Sequence, residues 1–449
     1  MERCLEALRL LLQRPGFGVG TTTLGAELEL FLVDALGRTL PQNQAVLDEA
    51  GDERVTLELD RFNLELNPSP SSLDGRPFSG LGREMHGALE RVRLAARAHG
   101  GRVAMIGILP TLREEDLHRS AITDSHRYRA LNHGIQRLRQ EPFRVEIAGS
   151  GGELLAIQRD DVVLEGANTS FQVHLRVAPE RFGRAYNATQ LATAPVLAVA
   201  GNSPLFLGRR LWEETRIALF EQSVRLHDPL LPMLADEDPL ECLAAGGLPE
   251  LEELRLHQST VWRWNRAIYD PGYGGHLRIE MRALPAGPTI VDMLANAAFH
   301  VGVALAVAPG AAEWTTTMPF ARANANFYQA ARHGLDAELD WPADVGGPGG
   351  RGEPAPPRRI RAAELVRALV PRARRGLEHA GVPGDEIERL LGVVDERAAS
   401  GQTGAVWQLR TLAALEPRLG QERALAAMLE RYLELSHSDQ PVHTWPLQG

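Results

Sequence analysis

The stretch LGAELELFLVD, Leu24 to Asp34, constrains this chain more than any other, because it sets two glutamates into a run that otherwise reads as a buried strand. Side chains alternate along a strand, so Glu27, Glu29 and Phe31 share one face while Leu28, Leu30 and Leu32 share the other. Two carboxylates on one face repel each other unless that face meets water or a cation. The pattern recurs. In TSFQVHLRV, Ser170, Gln172, His174 and Arg176 oppose Phe171, Val173, Leu175 and Val177; in HLRIEMRAL, His276, Arg278, Glu280 and Arg282 oppose Leu277, Ile279, Met281 and Ala283. In LELDRFNLELN, Glu58 and Asp60 oppose Leu57 and Leu59; after a slip at Arg61 and Phe62, Asn63, Glu65 and Asn67 oppose Leu64 and Leu66.

Segments with one apolar and one charged face predict an α+β protein, an antiparallel sheet with its apolar side against helices. The bland fate of the other side is water. Against that, these polar faces carry Glu, Arg, His and Asn where wet sheets mix Thr, Lys and Ser, and the chain has helices enough to enclose them. Enclosed carboxylates at close range raise one another's pKa or recruit cations. Glutamates with one histidine suit magnesium or manganese, and the absence of cysteine from these faces argues against zinc. Arg278 and Arg282 on the same face are suited to forked hydrogen bonds with a phosphoryl group or a carboxylate.

Composition sharpens this. The chain has no lysine, so its 48 basic residues are all arginine. A Walker-type phosphate loop, a Schiff-base enzyme and a kinase each lose their central residue, and nucleotide chemistry must run on metal and arginine. A net charge of −10 argues against nucleic acid as a partner. Cys4 and Cys242 indicate neither a disulfide framework nor a zinc knuckle. MERCLEALRLLLQRPG mixes acidic and basic residues in an amphipathic pattern and reads as a helix, not a signal peptide. No run reads as the roughly 20 apolar residues that span a bilayer. The expectation is a cytoplasmic protein with no membrane partner.

Helices are predicted over Glu2 to Gln13, Leu81 to Ala98, Ala188 to Ala200, Arg210 to Arg225, Thr289 to Val307 and Arg322 to Arg332. Asp340 to Arg359 is rich in Gly and Pro and reads as a linker or long loop between a body over 1–339 and a helical C-terminal segment over 360–449, in which IRAAELVRALVPRARRGLEHAG, PGDEIERLLGVVDERAASG and QERALAAMLERYLELS carry helical periodicity. No internal repeat is evident.

The pieces GAELELFLVD, ELDRFNLELNPSP, QVHLRV, GNSPLFLGRRLWEETR, IEMRALPAGPTIVDMLANAAF and NFYQAARHGLDAEL, in this order from Gly25 to Leu339, resemble glutamate–cysteine ligase family 2, a group of carboxylate–amine ligases related to glutamine synthetase. The resemblance implies a glutamine synthetase-like domain over 1–339, with a curved antiparallel sheet forming a funnel into which ATP and an acid substrate enter from opposite ends, with magnesium between them. It implies that the acid attacks the γ-phosphate of ATP and that an amine captures the acyl phosphate. By position, Glu27 and Glu29 match the metal strand, Glu65 and Glu58 the paired acids of the next strand with Asp60 as a rival for the second role, and His174 the histidine near metal and nucleotide. Glu280 and Arg282 match a pair of which one residue meets metal and the other phosphate. Asn202 either holds the acid substrate or shapes the turn. Arg216 matches an arginine after that turn, with Glu214 where the family has serine, and competes with a surface-helix reading. Asn326 and Arg332 match a late-helix element, against a role as helix surface or loop anchor. His118, His126 and His133 have no metal spacing, and SHRYRALNHG suggests a substrate wall.

The resulting expectation is an ATP- and magnesium-dependent ligase acting on small molecules, most simply the γ-carboxylate of glutamate and an amine such as cysteine, with a homo-oligomer allowed. A metal-dependent amide hydrolase and a catalytically inactive regulatory relative stay open as alternatives.

Overall fold

The computed structural model describes residues 1–126, 128–129, 142–224, 237–260, 263–342 and 357–447. His133 lies outside these, as do most of SHRYRALNHG and positions 343–356 of the expected linker. The strands in chain order are β1 (Thr23–Asp34), β2 (Val55–Leu57), β3 (Asn63–Leu66), β4 (Ser71–Ser72), β5 (Gly101–Ala104), β6 (Phe143–Ala148), β7 (Leu154–Arg159), β8 (Phe171–Arg176), β9 (Leu205–Phe206), β10 (Arg209–Arg210), β11 (Asn265–Asp270), β12 (His276–Met281), β13 (Glu338–Pro342) and β14 (Pro357–Arg361).

Eight of them form one sheet in the order β11-β12-β8-β1-β3-β2, with β4 and β5 also pairing on β1. Every pairing is antiparallel. The twelve-residue β1 is the spine. Its first half pairs with β8, and its second half pairs with β3 on the other side. Alternation holds where it was expected: Leu28, Leu30, Val173, Leu175, Ile279 and Met281 are fully or almost fully buried on the helix side. The glutamate face of β1 ends at Phe31, which is buried and stacks on Phe62 at 6.1 Å.

The segment from Leu57 to Asn67 departs from the expectation of one strand with a slip. It is a hairpin half: β2 ends at Leu57, the chain reverses over 58–62, and β3 returns with Glu65 opposite Thr56. The reversal is clamped by Asn43, whose Nδ2 donates to the Asp60 and Asn63 carbonyls at 3.2 Å each and to Thr123 at 2.8 Å. Buried polar backbone needs such a partner, and a side-chain amide supplies it.

Helices occur at Glu2–Gln13, Pro77–Ala98, Pro179–Ala200, Thr215–Val224, Ile290–Val307 and Phe320–His333. Pro77 and Pro179 extend two of them toward the N-terminus, because proline in the first turn forfeits only an N–H that has no intrahelical partner. The helix expected from Arg210 starts at Thr215, since Arg209–Arg210 pairs as β10 instead; Arg225 lies outside the described residues. Thr289 caps the helix at Ile290 by accepting from Asp292 N at 3.1 Å.

The expectation that no run is apolar enough to cross a bilayer is corrected. Ile290–Thr317 meets that length and composition, yet 83% of its apolar window is buried inside the protein. Its first part, the helix Ile290–Val307, is a core helix packed against Pro179–Ala200 and against Ala362–His379.

The expected linker is irregular neither at its start nor at its end, because β13 and β14 pair there, Asp340 opposite Arg359. Beyond it stand four helices, Ala362–His379, Gly384–Ser400, Gly404–Leu419 and Gln421–His437. The third of these went unpredicted, although Thr403 caps it through Val406 N. These helices share the main apolar core: Leu365, Leu369, Leu377, Met428 and Tyr432 belong to the same buried cluster as Leu28 and Leu197. Contact is closest at Gly302 and Gly376. A Cβ on Gly376 would lie 2.1 Å from the Gly302 carbonyl oxygen, so only glycine allows the two backbones to touch.

Candidate active site

Strand pairing assembles the charged face. Along the rung that crosses β12, β8 and β1, Glu280 stands opposite His174, and His174 opposite Gly25, which has no side chain to crowd the ring. Glu27, two residues on, reaches across: its Oε1 lies 3.3 Å from His174 Nε2. On the other side of β1, Glu29 stands opposite Glu65. The reversal after β2 brings Glu58 to the same place.

Two groups of side chains that could hold a metal ion result, the candidate ligand sets Glu27/His174/Glu280 and Glu29/Glu58/Glu65, each with its donor atoms within 4.8 Å of one another. Glu27 and Glu29 thus share a face of one strand but belong to different sets. Asp60, the rival of Glu58, joins neither. It is fully buried against Gly166, and neither carboxylate oxygen has a hydrogen-bond partner among the described residues. Burial and then the charge of Glu165 push it well above the usual carboxylate range.

The electrostatics are those of a site short of positive charge. Burial, and then Glu280, push Glu27 up to about 7. Burial and then Glu65 raise Glu29, and Glu58 is raised well above its ordinary value by burial, Glu65 and Glu29. Glu280 goes the other way. Burial works against its charge, but Arg282 and Arg266 outweigh burial and hold it well below the usual range. His174 is pulled down to about 4 by burial, so its ring is neutral, as a metal ligand must be.

A divalent cation fits this donor set. His174 Nε2 is buried and makes no hydrogen bond among the described residues, although it faces Glu27. On its other side Arg278 Nε donates to Nδ1 at 3.2 Å, which puts the ring proton on Nε2. Ligation through Nε2 needs that proton on Nδ1 and Arg278 turned aside. Hard oxygen donors with one imidazole match magnesium or manganese.

Arg282 joins the two sets. Its Nη1 donates to Glu280 Oε2 at 3.0 Å and to Gln172 Oε1 at 2.7 Å, while Gln172 Nε2 donates to Glu29 Oε1 at 3.0 Å. Glu29 Oε2 also accepts from Ser170 N at 2.6 Å. Beside the Glu29 set is a cavity of about 40 Å³, lined by Glu58, Glu165, Arg216, Trp264 and Arg282 among others. It has room for an ion or ordered water but not for a nucleotide.

Arg216 is no surface-helix residue. It is 2% exposed, faces this cavity, donates through Nε to Glu214 at 3.2 Å and lies 5.6 Å from the centre of the Trp264 ring. Glu214, at the family's serine position, is its buried counter-ion. Three other candidates are not brought here. Asn202 is fully buried, donating to Ala286 O and the Tyr432 hydroxyl and accepting from Gln408 at 3.0 Å, so it ties a turn to the C-terminal helices. Asn326 forms a two-way amide pair with the backbone of Asp340, at 2.7 and 2.9 Å. Arg332 is exposed and stacks over Trp212 at 4.6 Å. Arg278 pairs with Asp270 besides His174. His118 and His126 are exposed.

Sequence reasoning gave Gln172 no role and passed over Arg266, Trp264 and Glu165. Arg266 had a signal. It lies seven residues before Tyr273 and Glu280 seven after it, in a hairpin whose tip is PGYGG, and they face each other across β11 and β12.

A large antiparallel sheet backed by helices, with further helices at the C-terminal end, is the fold of the glutamine synthetase-like ligases. Among solved structures the chain is similar to a glutamate–cysteine ligase from Francisella tularensis in complex with AMP, at 10% identity and a TM-score of 0.52 over 96% of this chain and 91% of that one. It is also similar to a bifunctional glutathione synthetase from Pasteurella multocida, at 13% identity and a TM-score of 0.51 over 96% of this chain, which spans about half (54%) of that protein. No curated protein matches the sequence. The model of glutamate–cysteine ligase family 2 matches residues 23–426, and the chain belongs to that family. It is an ATP-dependent carboxylate–amine ligase.

Proposed function

We propose that this ligase joins the γ-carboxylate of glutamate to an amine, with cysteine the first candidate, using ATP and magnesium. The observation that carries this reading is Arg282, held between the two ligand sets by Glu280 and Gln172 and facing the cavity that Arg216 also lines. Bound at Glu27/His174/Glu280 and at Glu29/Glu58/Glu65, divalent cations would supply charge stabilisation for phosphoryl transfer. The protein's own part is orientation and electrostatics. Arg282 offers N–H donors to charge that develops on a transferring phosphoryl group, and the Gln172 bridge keeps it aimed. Arg216, buried and balanced by Glu214, presents its remaining donors to a substrate carboxylate. Trp264 beside Arg216 keeps bulk water from that end of the cavity, which protects an acyl phosphate from hydrolysis. No side-chain nucleophile is needed, since the substrate carboxylate is itself the nucleophile.

The test is phosphate release from ATP and magnesium with glutamate, with and without a panel of amines that includes cysteine. Release that requires both acid and amine supports the reading and names the substrates. Release with other acids but not glutamate would overturn the substrate assignment, and ATP-independent amide hydrolysis would overturn the ligase chemistry.

A further inference from the structure

A cation site should have carboxylate oxygens to spare, yet both oxygens of Glu280 already accept hydrogen bonds from arginine. Arg266 Nε donates to its Oε2 and Arg266 Nη2 to its Oε1 at 3.0 Å, while Arg282 adds a bond to Oε2. Glu280 is only 4% exposed and Arg266 15%, so little water screens the fork. A dication on either oxygen would stand within a few ångströms of the Arg266 guanidinium, and like charges at that range in a dry site repel strongly.

The two arginines on Glu280 differ in how they are held. Arg282 is also fastened to Gln172. Among the described residues the Arg266 side chain bonds Glu280 alone. It also lines a cavity of about 400 Å³ whose wall includes Phe182, Ile268 and Leu277, the guanidinium groups of Arg255 and Arg278, and the Asp270 carboxylate that pairs with Arg278. The cavity thus combines apolar walls with three guanidinium groups against one carboxylate, and its size and net positive lining suit a small organic anion.

We propose that Arg266 is a displaceable placeholder for the cation: it neutralises Glu280 when no metal is bound and swings to an anionic ligand in the adjacent cavity when one is. Arg266 is then a positioning residue that couples the two binding events. Metal and anion each help to detach Arg266 from Glu280, so each strengthens binding of the other, and by linkage the effect is mutual. The inference rests on Glu27/His174/Glu280 being a cation site.

The experiment is a Mn2+ titration of the full chain followed by electron paramagnetic resonance, for the wild type, Arg266→Gln and Glu280→Gln, with and without AMP, which chelates Mn2+ weakly. Without AMP, Arg266→Gln should bind Mn2+ more tightly than the wild type at one of the two sites, by about 5-fold or more, with the other site unchanged. AMP should tighten Mn2+ binding in the wild type by a larger factor than in Arg266→Gln. A merely structural arginine would leave the affinity unchanged or weaken it, and either result overturns the proposal. If Arg266→Gln does not fold, judged by its circular dichroism and melting, Arg266→Met decides: with the charge removed and the stem kept it should bind Mn2+ more tightly than the wild type, and equal or weaker binding overturns the proposal. Mn2+ binding that Glu280→Gln abolishes and Arg266→Gln leaves alone defeats only this inference. Wild-type protein that takes up no Mn2+ defeats the cation-site reading and the inference with it.

Discussion

Glu27 and Glu29 are two residues apart and chemically identical, yet they answer to different neighbours, His174 and Glu280 for one and Glu58 and Glu65 for the other. Their elevated proton affinity gives a prediction with a definite sign. Glu27 holds its proton up to about pH 7 in the metal-free fold but releases it near 4.5 in the unfolded chain. Its contribution to stability is therefore fully present below the unfolded value and is lost as pH rises from there through about 7. A divalent cation bound at Glu27 would replace that proton. The rise in melting temperature on adding magnesium should be larger at about pH 8 than at about pH 6, and an equal rise at both would separate Glu27 from the metal. Glu280→Gln keeps the shape but removes the charge that pairs with Arg266 and Arg282 and that would bind a cation. Steady-state turnover should fall by about 10²–10³-fold or more with circular dichroism unchanged; an unaltered rate would remove Glu280 from the site. Gln172→Met breaks the bridge between Glu29 and Arg282 without adding charge. A loss of about 10–100-fold in kcat is expected, with a smaller change in metal affinity than Glu280→Gln produces.

At the scale of elements, the decisive event is the reversal between β2 and β3. Read as one strand, LELDRFNLELN puts Glu58 and Asp60 on one face as equals; as a hairpin closed by Asn43, it sends Glu58 to the ligand set and buries Asp60. Nothing in the local alternation distinguishes the two readings, because the clamp comes from a residue fifteen positions before Glu58 in the chain. The helix Ile290–Val307 carries the opposite lesson. Its continuous apolar run suits a membrane or a core equally well, and only the helices packed around it select the core. Its contact with Ala362–His379 depends on Gly302 and Gly376. Gly376→Ala should force those helices apart and destabilise the protein by about 1–3 kcal/mol, read as a lowered denaturant midpoint; no change would mean that the helices can separate freely.

At the scale of the whole molecule, the four C-terminal helices and the sheet share one buried apolar cluster, and Asn202 meets Tyr432 and Gln408 deep within it. Removing residues 360–449 should uncover Leu197, Val301 and their neighbours and give an aggregated or molten product in place of a folded ligase. A truncated chain with a sharp cooperative melt would show that the remainder folds alone. Much of the architecture was legible beforehand, for a physical reason. Side-chain period is a local property of a strand or helix, so the faces of β1, β8 and β12, most of the helices, and the acids and arginines on those faces could be read from the amino-acid order alone. Register, chain reversal and the partners of a buried polar group depend on contacts between distant residues. Those contacts divided Glu27 from Glu29 into separate ligand sets and set Arg266 on Glu280. They also kept Arg216 at the cavity, and spent Asn202 and Asn326 on structure.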